Sequence, residues 1–135
     1  MGTSCIIYVE LDHGKYIGTY CHYDGYTEHM IPALDSVVYN LVYGEILKAG
    51  MKGGFRAFSP LDGSIEYLED SIQCYAYSPE NDFRTYGAEY VYIKCADNTI
   101  KYRATYERYS QGGRWFWHTP NTPIALTSSE GGMSL

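Results

Sequence analysis

The chain has 135 residues, a formal net charge of −6 and a sequence pI near 5.1, with 45% hydrophobic and 19% charged residues. That balance suits one globular domain rather than a disordered chain, and the acidic sum argues against nonspecific nucleic-acid binding, which needs clustered Lys and Arg. No apolar run reaches the roughly 20 residues that cross a bilayer, so no membrane role is expected.

In chain order, "CIIYVEL" reads as a strand closed by the turn "DHGK", where Gly14 can take positive φ. "YIGTYCHY" reads as its hairpin partner, and "DGY" ends it, with Asp24 bonding its following backbone and Gly25 tolerating the turn. Ile31, Leu34, Val38, Leu41, Val42 and Ile46 recur at helical spacing, with Pro32 in the first turn and Gly50, Gly53 and Gly54 as the stop. Gly44 is the expected dividing point if the region forms two helices. "FRAFSPLDGSIEYLED" suits helix and strand alike and reads as a loop with a short element. "SIQCYAYS" alternates as a strand. "AEYVYIKC", the turn "ADNT" and "IKYRATYERY" form the clearest hairpin, and "RWFWH" a short aromatic strand.

The expected fold is α+β, a single antiparallel sheet of about five strands with one or two helices packed on one face. Residues 1–119 form the single domain, and 120–135, rich in Pro, Ser and Gly, a flexible C-terminal tail.

Four cysteines occur, at 5, 21, 74 and 95, each inside an apolar or aromatic stretch. "MGTSCIIYVE" lacks the pattern of a secretory signal, so free, mostly buried thiols in a cytoplasmic protein are expected. Cys21, His22, Asp24 and His29 are all legal metal ligands. Neighbours on a strand point to opposite faces, however, and no C-x-x-C or H-x-x-x-H pair exists, so no metal is assigned. A Cys21 nucleophile would need His29 or His118 as base. The acids Glu66, Glu69, Asp70, Glu80 and Asp82 read as a solvated face. "KGG" follows a helix rather than opening one and is no phosphate loop.

The distinctive signal is 16 Tyr against 4 Phe and 2 Trp. Tyrosine packs its ring while its hydroxyl stays wet or bonded. Tyr90 and Tyr92 share one strand face, and Tyr102 and Tyr106 alternate likewise. With Tyr20, His22, Asp24 and Tyr26, and with Lys94, Lys101, Arg103 and Arg108 nearby, they suit a platform that stacks a base or grips a protein. They equally suit the helix-packed side, with hydroxyls at the rim. The candidate binding residues are Tyr20, His22, Asp24, Tyr26, Tyr90, Tyr92, Tyr102 and Arg103, with no catalytic residue and no cofactor assigned.

"IGTYCHYDGYTEH" resembles the "sIYCHwDGYpeH" opening of a group of small, mostly uncharacterised proteins encoded by bacteriophages and mobile elements. The similarity extends through "KAGMKGGFRAFSP" and "AEYVYIKCADNTIKYR", with Thr27 where the group usually has proline. It implies a small phage-type protein in the host-cell cytoplasm; within that setting the lack of an assembled catalytic set, the acidic charge and the abundant tyrosine point to an accessory, non-enzymatic binder or inhibitor of a host protein, such as a component of anti-viral defence. The alternatives are a protein that binds or sequesters a small nucleotide-like ligand and a small Cys/His enzyme.

Overall fold

The computed structural model describes residues 2–12, 14–105 and 114–120. The central strand β1 (Cys5–Glu10) is apolar at nearly every position, and Cys5 to Val9 are all fully buried. A strand in that state needs cover on both faces and both edges, and the chain supplies all four. β2 (Tyr16–Cys21) pairs antiparallel with one edge in the register Cys5↔Cys21, and β5 (Tyr90–Lys94) pairs parallel with the other. Between these lie α1 (Thr27–Asp35), α2 (Tyr39–Gly50), β3 (Phe55–Ser59), a 3₁₀ turn (Pro60–Asp62), β4 (Ser64–Tyr67) and α3 (Asp82–Tyr86). β6 (Ile100–Ala104) and β7 (Phe116–His118) complete the sheet in the order β4-β3-β2-β1-β5-β6-β7.

The sheet therefore has seven strands and is mixed, not a single antiparallel sheet of about five. The parallel contacts arise because β2 leads into a helical crossover, and the returning chain lays Phe55 beside Cys21. "FRAFSPLDGSIEYLED" supplies two of the extra elements, β3 and β4. "SIQCYAYS" is not a strand: only Ala76 bridges, to Gly18. Cys74 sends its N–H to Gly50 O and receives the Thr19 hydroxyl on its carbonyl, so its backbone groups serve the end of α2 and a side chain instead of a ladder.

Cys5, Ile7, Val9, Cys21, Tyr92 and Ile100 face α1 and α2, meeting Met30, Leu34, Val42 and Ile46. The helical stretch breaks at residues 36–38, not at Gly44, which lies within α2. Ser36 turns its hydroxyl back to Ala33 O (2.7 Å), and Val38 is extended (ψ 161°). Pro32 sits well inside α1 rather than in its first turn, since the helix begins at Thr27. Val38 and Leu41, members of the row at helical spacing, are 44% and 42% exposed.

Lys94 is also fully buried on this face. Its ammonium donates to Leu34 O in the last turn of α1 (2.6 Å), where a helix end favours a cation. Burial pulls it down to about 8 against the opposing pull of the Asp35 carboxylate. The second face of the sheet is covered by the chain leading into and out of α3, which packs on Ile6, Tyr8, Val91 and Ile93.

Among the described residues no helix is long and apolar enough to cross a membrane. Cys5, Cys21 and Cys95 are buried, Cys74 is half-buried, and all four are free thiols. Tyr106, Arg108 and the tail from 121 onward fall outside the described residues.

Candidate functional site

The two faces treat their aromatic side chains differently. On the helix-packed side Tyr90, Tyr92, Tyr102 and Phe116 form one stacked row, with successive centroids 6.1, 6.3 and 5.7 Å apart. Tyr92 is sealed under α1, its hydroxyl donating to Gly25 O at 2.6 Å, and burial pushes that hydroxyl well above its usual value. Arg103 projects to the other side of β6, where its guanidinium lies between the rings of Phe83 (5.0 Å) and Trp115 (5.3 Å). The expected platform of Tyr90, Tyr92, Tyr102 and Arg103 is thus split between two faces.

At the centre of the second face Tyr8 fills the core and its hydroxyl reaches Asp82 Oδ2 (3.2 Å), which also accepts the N–H groups of Tyr77 and Ser78 (2.8 Å each). That carboxylate ties the α3 segment onto the sheet. Burial, then Asp82, raises the Tyr8 hydroxyl.

At one end of this face stands "YCHYDGY". Cys21 points into the helix side, its thiol directed at Tyr23 O (3.5 Å), while Tyr20 and His22 point outward. The Tyr20 hydroxyl and His22 Nδ1 share a hydrogen bond of 2.8 Å. Tyr23 lies beyond the strand, so alternation no longer places it with Cys21. Its ring meets His22 edge-on at 4.5 Å and carries the Arg56 guanidinium at 5.4 Å. Tyr86, from the end of α3, lies 6.1 Å from Tyr20. Tyr86, Tyr20, His22, Tyr23 and Arg56 thus make a continuous ridge whose rings lean on one another.

A hollow of about 420 Å³ opens beside the ridge, between Tyr20, Tyr86, Asp70 and Ile72, with Cys74 among its lining. Ile72 is 71% exposed on its rim. Signals for Tyr23, Tyr86 and Arg56 were absent from strand patterning, because the first two lie outside strands and the third sits at a bulge between Phe55 and Ala57.

The turn itself is built differently from the sequence expectation. Asp24, not Gly25, takes the left-handed conformation (φ 61°). Gly25 is needed for proximity: an added Cβ would lie 2.8 Å from Cys5 Cβ and 2.9 Å from Thr3 O. Tyr26 begins α1, 39% exposed, with its ring 6.0 Å from His29.

The groups proposed for catalysis are apart. Cys21 is at zero exposure beside Cys5, whose thiol burial and then Cys21 push up. His29 Nε2 bonds Phe58 O (3.0 Å); a carbonyl only accepts, so this nitrogen is a donor and cannot draw the proton from Ser59 Oγ at 3.2 Å. His118 is at the opposite end of the strand ladder, paired with Ile100 and 3.4 Å from Asp35 Oδ2. Among the described residues no group of three or more His, Cys, Asp or Glu is placed to hold a metal ion. Neither a protein-family model nor a curated protein nor a solved structure matches this chain.

Proposed function

We propose that the chain is a non-enzymatic binding protein that engages a host-cell protein through the Tyr86–Tyr20–His22–Tyr23–Arg56 ridge, in the phage-type accessory role that its motif implies. The observation that carries this reading is the ridge itself. His22 and Arg56 stand exposed, and Tyr20, Tyr23 and Tyr86 half-buried, at the end of a strand, already ordered by mutual contact, so little side-chain entropy is lost on docking. Tyrosine and arginine are also the residue types that dominate interface energetics. The bare rim at Ile72 extends the contact with apolar area.

The experiment is affinity capture from host lysate followed by titration with the captured partner. The double variant Tyr23→Ala/Arg56→Ala, folded by circular dichroism, is expected to weaken binding at least about tenfold, and Cys21→Ala to leave it unchanged. A partner held equally by the double variant, or none held at all, removes the reading. Loss of the biological effect in a folded Cys21→Ala chain would instead restore the enzyme alternative.

A further inference from the structure

The far end of the second face carries a groove unrelated to the ridge. Tyr16 stands on one side, Trp115 and Trp117 on the other, Ile93 forms the floor and Lys101 lies between, around a volume of about 280 Å³. Beyond Lys101 and Trp117 it continues into a hollow of about 440 Å³ bounded by Glu10, Cys95 and Asp97. Together these fall in the size range of small-ligand sites.

We propose that this groove is a binding site for a nucleoside monophosphate, the base lying against Trp117 and the phosphate reaching Lys101.

The walls select a flat ring. Three aromatic side chains, Tyr16, Trp115 and Trp117, line the groove, and a base that enters can stack on any of them. Trp115 is held for that task. Its N–H donates to Glu80 Oε2 (3.2 Å), and its ring is backed by Arg103, which rests in turn on Phe83. Trp117, by contrast, is a large apolar ring that is 63% exposed.

Lys101 offers one cation to an anionic group. Lys101 is the cation common to both hollows, and its ion pair with Glu10 spans 4.0 Å with both side chains 30% exposed, a contact that is readily exchanged. Glu80 is engaged by the Trp115 N–H, and Asp97 by the Thr99 N–H (3.0 Å). With Glu10 these carboxylates still ring the site with negative potential, which repels a polyphosphate more than a monophosphate. The Cys95 thiol, pushed up to about 11 by burial, adds no charge.

The proposal does not depend on the ridge, and its test leaves the ridge untouched. Both tryptophans of the chain line this groove, so tryptophan fluorescence, excited selectively over the 16 tyrosines, reports on it. The full chain is titrated with the four ribonucleoside monophosphates, and with adenosine, ATP and inorganic phosphate as controls. Saturable quenching is expected from at least one monophosphate, about tenfold weaker binding from adenosine and from ATP, and none from phosphate. Lys101→Gln is expected to bring AMP down to the level of adenosine without changing adenosine. Trp117→Ala, followed by calorimetry, is expected to cost both ligands at least about tenfold. No saturable quenching by any monophosphate overturns the site. So does binding that Trp117→Ala leaves intact, or an AMP affinity equal to that of adenosine and indifferent to Lys101→Gln.

Discussion

Tyr92 and Trp117 occupy opposite faces of one sheet and show how differently the two are finished. Under α1 and α2 Tyr92 is sealed within a row that opens outward through half-buried Tyr90 and Tyr102 to exposed Phe116, and its hydroxyl is spent on a backbone carbonyl of the turn that starts α1. Among the described residues the second face is roofed only at its middle, where Tyr8 and Asp82 fasten the short α3 segment, and its two ends are left open. One end bears the tyrosine–histidine ridge, the other the tryptophan groove. The same class of residue is structural on one side and available on the other, and what separates them is the thickness of the cover.

The sharpest way to break this contrast is Tyr92→Ala, which should cost about 4 kcal/mol in urea denaturation, as for other large core truncations. Tyr92→Phe should cost only about 1 kcal/mol, the value of leaving Gly25 O without its donor. If both were neutral, the helix face would not be the sealed one. Next comes Gly18→Ala, because an added Cβ would sit 2.5 Å from Ile7 O and 2.7 Å from the Tyr8 ring. A loss of about 2 kcal/mol is expected if the middle of the second face is as tightly packed as it looks.

A smaller effect tests Lys94. Its folded value of about 8 lies below the 10.5 of the free side chain, so the folded chain gives up this proton first. The unfolded state then binds more protons between those values, and stability should rise with pH, by about 1 kcal/mol from pH 7.5 to 9. The Cys95 thiol, raised to about 11, acts in the opposite sense above pH 9. Lys94→Met should abolish the rise seen in thermal melts across the lower window. Smallest of all, His22→Ala and Trp117→Ala should change stability by less than about 0.5 kcal/mol, as expected for open positions. A large loss from either would mean that the ends of the second face are core after all.

Much of this arrangement was legible from residue alternation. "CIIYVEL" is a strand apolar on both faces, and "YIGTYCHY" and "AEYVYIKC" with "IKYRAT" pair around it in antiparallel hairpins. β3 and β4 escaped because they are short, and the bulge between Phe55 and Ala57 shifts the period partway along β3. The parallel contacts were illegible for another reason: strand pairing across a helical crossover is decided by packing between residues far apart in the chain. Of the candidate site, Tyr20 and His22 do lie together on an open surface, whereas Tyr92 is core. Alternation places Tyr90, Tyr92 and Tyr102 on one face but does not say which face the helices take. The "WFW" of residues 115–117 carried the signal for the groove, two indoles at spacing two, and it reads as a site only once Tyr16 and Lys101 stand beside it.

The position of β1 has a consequence for how the molecule comes to be made. Its parallel neighbour β5 begins at Tyr90, long after Glu10 has left the ribosome. Until then "CIIYV" has β2 on one edge and the α1–α2 segment available for one face, while its other edge stays open to rival chains. Closing that gap joins segments distant in sequence, a slow kind of step. Refolding should accordingly be limited by the docking of the β5–β6 hairpin, and its yield should fall as protein concentration rises.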